Sequence, residues 1–266
     1  MYNWIELLKS DIDTFNTKIE AFKESERTML IGQNLSGLDL SHAKIRRCDL
    51  TNANLSDCKV EGYQLSTCRL QGTLLDNISF VDEYWRKSIE HIQLLWNGAS
   101  EWNLFRSSNQ VSLLNNVYFL SANFQAFDLK NISFIGANFN HAVFKATDLT
   151  DTCFRSGSFF EASFLDLKLI RTELISSSLS ESKWNNSQLA YVNMSKANLT
   201  KAVFENVTFE ESNLNDIIAT GAVFKNCKFV KTIFFDADLS DCQFVGCSFL
   251  ETELSNTNKK EGLLVI

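Results

Sequence analysis

Residues 119–144 read FLSANFQAFDLKNISFIGANFNHAVF, and every fifth one, Phe119, Phe124, Leu129, Phe134, Phe139 and Phe144, is large and apolar. The spacing continues without a break to Leu254, with Ala219 its smallest member. An earlier stretch keeps it from Leu35 through Leu40, Ile45, Leu50, Leu55, Val60, Leu65, Leu70 and Leu75 to Phe80, in a register shifted by one. A chain that is 45% hydrophobic does not do this by chance. Two places upstream of most of these positions stands a small residue: Ala43, Cys48, Ala53, Cys58 and Cys68, then Ala122, Ala137, Ala142, Ala162, Ala197, Ala202, Ala222 and Ala237. A fixed internal period takes precedence over local helix and strand signals. Five is neither the 3.6 of an amphipathic helix nor the 2 of an alternating strand, so the pattern predicts a solenoid whose sides each turn one large and one small residue inward.

The triplets Ala53-Asn54-Leu55, Ala122-Asn123-Phe124, Ala137-Asn138-Phe139, Ala197-Asn198-Leu199 and Ala237-Asp238-Leu239 resemble the A(D/N)LXX motif of the pentapeptide-repeat family. The resemblance covers roughly residues 33–80 and 115–258 and implies an all-β solenoid, a right-handed quadrilateral β-helix. Four sides of five residues make a coil of 20, so residues 20 apart should share a column. Phe124, Phe144, Phe164, Trp184, Phe204, Phe224 and Phe244 do, as an unbroken aromatic column. The next column begins Leu129, Leu149, Leu169, Leu189 and changes to Phe209, Phe229, Phe249. At a strand spacing of about 4.8 Å, the second run spans roughly 34 Å.

The expected organisation is an N-terminal helical cap (1–32), a first solenoid (33–80), a helical linker and cap (81–114), a second solenoid (115–258) and a tail (259–266). Over Met1 to Glu26, Trp4, Leu8, Ile12, Phe15, Ile19 and Phe22 fall at helical intervals. In the linker Trp85, Ile89, Ile92 and Trp96 mark a helical face that Gly98 should stop. Trp102-Asn103-Leu104-Phe105-Arg106 resembles the WNxWR segment found ahead of the repeats in many family members, with Phe105 for the second Trp. Trp85, Trp96, Trp102, Asn103 and Arg106 are therefore the candidate cap over the open end of the second solenoid, where backbone would otherwise stay unpaired. Zero Pro fits a backbone that must pair on both sides.

Chemistry leaves little trace. His42, His91 and His141 stand apart, and no nucleophile, zinc or phosphate-loop motif accompanies them, so neither catalysis nor a cofactor or metal is expected. The seven cysteines lie mostly at small inward sites and read as reduced core thiols; Cys48/Cys68 and Cys227/Cys247 should stack, being 20 apart. No apolar stretch is long enough for a membrane span and the start lacks a secretory signal, which points to the cytoplasm, with signal-independent export left open.

The expected role is binding to a protein partner. Residues 115–258 carry 16 acidic and 11 basic side chains of a chain with net charge −7, which disfavours direct nucleic-acid binding. In the family, the Qnr and MfpA group presents an acidic, DNA-like rod to DNA gyrase. By that resemblance Glu181, Glu205, Glu210, Glu211, Asp216, Asp236, Asp238 and Asp241 are candidates for a mimic of DNA. Lys196, Lys201, Lys225, Lys228 and Lys231 interrupt this surface, and the tail is too short for that group's helical dimerisation element. A sharper candidate is a belt: Phe160, Leu165, Ile170 and Ile175 each follow an inward residue on four successive sides of one coil, where the period points them outward. Such a belt is either covered in part by the linker helix or the first solenoid folding back, or it is a protein-binding or self-association surface. Val230, Phe235, Val245 and Leu250 form a second, smaller apolar group.

Overall fold

The computed structural model describes residues 3–257 and 264–265, and the chain divides into two compact units, Met1–Trp102 and Asn103–Ile266. Both are built on the right-handed quadrilateral β-helix.

In the first unit the N-terminal helical face belongs to two helices, α1 (Trp4–Ser10) and α2 (Ile12–Glu20). Asp11 separates them: its amide closes α1 on Leu7 O at 2.9 Å, and its carboxylate caps α2 by accepting from Thr14 N at 3.0 Å. Phe15 and Ile19 are fully buried, and Trp4 meets Phe15 and Phe22 edge-on at 5.8 and 5.7 Å. The Asn16 side chain clips α2 to the solenoid, donating to His42 O at 2.9 Å and accepting from Lys44 N at 2.7 Å.

The first solenoid stacks at the expected interval, with parallel bridges Asn34↔Asn54↔Leu74 and Asp49↔Arg69 and a short pairing of Lys59–Val60 with Ser79–Phe80. One quintet departs from the repeat. Gly62–Leu65 forms a helical turn, α3, which keeps Leu65 buried but leaves Tyr63 43% exposed. Gln64 goes inside instead, its Oε1 accepting from Ile45 N at 2.9 Å. The following helix α4 (Arg86–Asn97) ends at Gly98, which holds φ +122°. It lies on the last coil of this same solenoid: Asn97 accepts from Gly72 N at 3.1 Å, Gln93 donates to Thr73 O, and Arg86 reaches Ile78 O at 3.4 Å.

The second unit is more regular. We number its faces from the inward residues that begin them: Phe119 (first), Phe124 (second), Leu129 (third) and Phe134 (fourth). Among the described residues the second face forms an eight-stranded parallel sheet, and the third a five-stranded one from Lys168–Ile170 to Ser248–Leu250. The first and fourth faces are joined by single bridges such as Asn138↔Ser158 and Cys153↔Glu173. Phe164, Trp184, Phe204 and Phe224 stack with centroids 3.8, 5.5 and 4.9 Å apart. Each such ring withdrawn from water contributes about 2–3 kcal/mol. Corners turn through a residue with positive φ, including Ala126 (62°), Ala146 (50°) and Tyr191 (57°). Side chains other than Gly enter this region at a cost of roughly 1–2 kcal/mol, and pairing to the coils on either side holds them there. At the corner between the second and third faces the side chains of Asp166, Asn186, Asn206 and Asn226 form a hydrogen-bonded ladder at 3.4, 3.2 and 3.4 Å. Most of the tail, 259–263 and 266, lies outside the described residues; Leu264–Val265 adds a strand beside Gln243–Phe244.

Candidate functional site

The helix α5 (Ala99–Arg106) carries the WNxFR segment. Trp102 is fully buried. Asn103 donates to Ala126 O and accepts from Asp128 N, both at 2.9 Å. One coil further on, Phe127 O accepts from Asp148 N at 2.9 Å, so the Asn103 side chain supplies the acceptor of a coil that does not exist. Arg106 donates to Lys130 O at 2.9 Å on the same edge. Of the candidate cap residues, Asn103 and Arg106 are thus the ones hydrogen-bonded to the edge of the second solenoid. Trp85 and Trp96 belong to the first unit, where Trp85 packs on Gly62 and Trp96 lies under the Arg69 guanidinium at 5.0 Å. The physical reason is that α4 directs its hydrogen-bonding side chains to the coil before it.

The belt residues occupy one coil, one per face, and all four are half-buried. Phe160, on the first face, meets His141 edge-on at 5.6 Å. Leu165 is registered between Lys145 and Asn185 on the second face, and Ile170 beside Ala190 on the third. Ile175 lies on the fourth. Adjacent members meet only across corners, so a flat partner cannot touch all of them. Of the second apolar group, Phe235 and Leu250 are 43% and 58% exposed, while Val230 and Val245 are half-buried.

The third face holds the feature that reading around a coil misses. Its outward column after the central residues runs Ile170, Ala190, Glu210, Val230, Leu250. Ala190 leaves a depression of about 350 Å³ between larger neighbours, lined by Ile170, Lys168, Gln188, Thr208, Glu210 and Tyr191. Tyr191, at the adjoining corner, is 52% exposed. A larger groove of about 560 Å³ in the first unit is lined by Arg27, Lys44 and Arg47 among others, but its cations are engaged. Lys44 pairs with Glu20 at 2.9 Å, Arg47 with Glu24, and Arg27 donates to Phe22 O and Arg46 O.

The acidic candidates are spread around the coil. Glu181 and Asp241 share one corner column, Asp216 and Asp236 another, Glu211 a third; Glu205, Glu210 and Asp238 lie on the second, third and first faces. Glu205 pairs with Lys225 at 3.0 Å and Glu211 with Lys231 at 3.9 Å. Asp236 accepts from Asn256 at 2.6 Å, and Ser240 hydrogen bonds to Asp238, holding its carboxyl below the usual range. Among the described residues no three His, Cys, Asp or Glu converge on a metal-sized site, and no helix is long and apolar enough to cross a membrane.

Stacked quintets, an all-apolar inward column and corner-by-corner pairing define a repeat solenoid. The model of the pentapeptide-repeat family, "Pentapeptide repeats (8 copies)", matches residues 34–72 and 118–155, and the quintets of this chain are repeats of that kind. A second model, that of the SV2A/B/C luminal domain, matches residues 183–254. Among solved structures, HetL from the cyanobacterium Nostoc, a pentapeptide repeat protein involved in heterocyst differentiation regulation, is 15% identical with a TM-score of 0.29, over 92% of this chain and 96% of its own. QnrB1, a plasmid-mediated fluoroquinolone resistance protein, is 16% identical with a TM-score of 0.28, over 55% of this chain and 84% of its own. A pentapeptide repeat protein of the Arabidopsis thaliana thylakoid lumen is 22% identical with a TM-score of 0.21, over 40% and 68%. At these values nothing about partners passes to this chain. No curated protein matches it.

Proposed function

We propose that this is a non-enzymatic interaction protein, an adaptor, regulator or effector, that receives a protein partner along the third face of its second unit. The observation that carries the reading is the Ala190 depression. It offers an apolar floor beside Ile170, an exposed ring at Tyr191, and opposite charges at Lys168 and Glu210. Exposed aromatic side chains beside a small apolar recess are the usual anchors of protein contacts. The belt then contributes through Ile170 rather than as a ring, and Leu165 lies just across the corner. We place the protein in the cytoplasm, where cysteines such as its free thiols rest in the reduced form.

The test is a photo-reactive side chain at position 188 in the full chain, with position 206 on the neighbouring corner as control. A partner cross-linked from 188, absent from 206 and lost in Ala190→Arg, supports the reading. Equal labelling from both positions, or labelling indifferent to Ala190→Arg, overturns it.

A DNA-mimicking protector of gyrase is the second reading, and the surface favours it less. Mimicry needs a row of uncompensated carboxylates along one side; here stacked lysines neutralise Glu205 and Glu211, and Lys196 precedes Asp216 in its column. Reversing Glu210, Glu211, Asp216 and Asp236 to Lys should abolish any effect on supercoiling if this reading holds. A wild-type chain that leaves gyrase supercoiling unchanged ends it.

A further inference from the structure

Cys227 and Cys247 hold the same small inward position on consecutive coils, directly before Lys228 and Ser248, which pair in register. Their Cα atoms are therefore about one strand spacing apart, roughly 4.8 Å, within the range of about 4.4–6.8 Å that a disulfide spans. The side chains run parallel: the Cys227 thiol donates to Phe204 O at 3.4 Å and the Cys247 thiol to Phe224 O at 3.2 Å, and Phe204 and Phe224 are themselves register partners. Cys227 is buried and Cys247 half-buried, so of the two residues Cys247 is the one partly open to solvent.

The same chain contains its own controls. Cys48 and Cys68 are also one coil apart, before the bridged Asp49 and Arg69, but both are fully enclosed and burial pushes both thiols up, Cys48 to about 12. Cys153 is half-exposed but has no cysteine in its column; burial raises it as well. Only at 227 and 247 do stacking and access coincide. There the neighbouring Cys227 side chain draws the Cys247 thiol below its ordinary value against the opposing effect of burial, while the Cys227 thiol itself is raised.

We propose that Cys227 and Cys247 are a thiol modification site that closes into a disulfide between adjacent coils when a hydroperoxide reaches Cys247. The Cys247 thiolate attacks the outer peroxide oxygen. The O–O bond breaks, water or an alcohol leaves with a proton, and a sulfenic acid remains. The Cys227 sulfur then attacks the sulfenic sulfur; the S–O bond breaks and water departs with the Cys227 proton. Two thiols lose two electrons and the peroxide gains them.

The experiment treats the reduced full chain at pH 7 with hydrogen peroxide, blocks remaining thiols with N-ethylmaleimide after denaturation, and maps tryptic peptides by mass. The expected product is a peptide containing Cys227 linked to one containing Cys247, reversed by dithiothreitol, with Cys247 consumed roughly tenfold or more faster than Cys48. Cys247→Ser should abolish the link and leave Cys227 reduced, whereas Cys68→Ser should leave it intact. Circular dichroism of each variant verifies that the coil is folded. Oxidation of Cys247 to a sulfinic acid without a link, a Cys48–Cys68 link formed as fast, or no reaction at either site overturns the proposal.

Discussion

The two solenoids share a five-residue period and differ in what fills it. The first is lined by aliphatic side chains, from Leu35 and Leu40 to Leu70, and tolerates a helical turn at Gly62–Leu65 with a glutamine inside. The second is lined by stacked rings and carries a regular strand on its second face in every coil from Asn123–Gln125 to Gln243–Val245. Flat rings stacked face to face fix the spacing and direction of each rung, so an irregular quintet would break contacts above and below. Aliphatic side chains repack around one more easily. The ends, by contrast, are closed alike. Asn16 in the first unit and Asn103 in the second each donate to a carbonyl and accept from the amide two residues later. A side-chain amide has the donor and acceptor of a peptide, and in each unit it stands where the next peptide of a coil is missing.

The largest expected effect tests the difference in lining. Phe204→Ala removes a fully buried ring between Trp184 and Phe224 and should cost roughly 3–5 kcal/mol. Because each coil touches only its neighbours, hydrogen exchange should rise first in the strands Lys183–Asn185 and Val223–Lys225, leaving the first unit unchanged. A uniform rise through both units would mean that the rings are not a local ladder.

Next comes the irregular quintet. A Cβ on Gly62 would lie 2.2 Å from the Trp85 Cβ, so Gly62→Ala should cost roughly 1–3 kcal/mol through displaced packing, read as a lower denaturation midpoint of the first unit. If Gly62→Ala were neutral, Trp85 would not be seated on the turn, and the contrast between the units would rest on lining alone.

The caps should show a smaller, matched pair of losses. Asn103→Ala leaves Asp128 N and Ala126 O without their partner, and Asn16→Ala does the same to Lys44 N and His42 O. Each should cost about 1 kcal/mol, seen as faster exchange of the Asp128 and Lys44 amides in the respective unit. Loss in one unit but not the other would show that the shared geometry hides unequal roles.

How far these features could be read from residues depends on whether the period reports them. Phe124, Phe144 and their column are legible because spacing alone decides which side chain points inward. The turn at α3 is hidden because Leu65 keeps the beat; its trace is Tyr63, a bulky residue where Cys58 and Cys68 set a small one. The separate destinations of α4 and Asn103 are set by hydrogen bonds to Gly72 and Asp128, 25 residues away in each case, which no local pattern encodes. The Ala190 depression was within reach. It appears when outward residues are compared along one face at intervals of 20, whereas the belt emerges only from reading around a coil.

The smallest effect separates two carboxylates that look equivalent. Asp39 in the first unit and Asp151 in the second each face a cation 20 residues on, Lys59 at 3.5 Å and Arg171 at 2.6 Å, and both carboxyls lie below their ordinary value. The causes differ. Hydrogen bonds from Ser41 dominate at Asp39, with Lys59 secondary, whereas the two-pronged hydrogen bonding of Arg171 dominates at Asp151. A carboxyl lowered by folding contributes stability above the unfolded value of about 3.9, and that stability is lost as pH falls through the folded value. Both groups are largely solvated, so the contribution is small and is best followed by carboxylate chemical shifts during an acid titration. Arg171→Gln should return Asp151 toward the ordinary range, while Lys59→Gln should leave Asp39 low and Ser41→Ala should raise it. If Lys59→Gln moved Asp39 as far as Arg171→Gln moves Asp151, the stacked ion pair and not the local serine would set the charge in both solenoids, and this distinction between them would vanish.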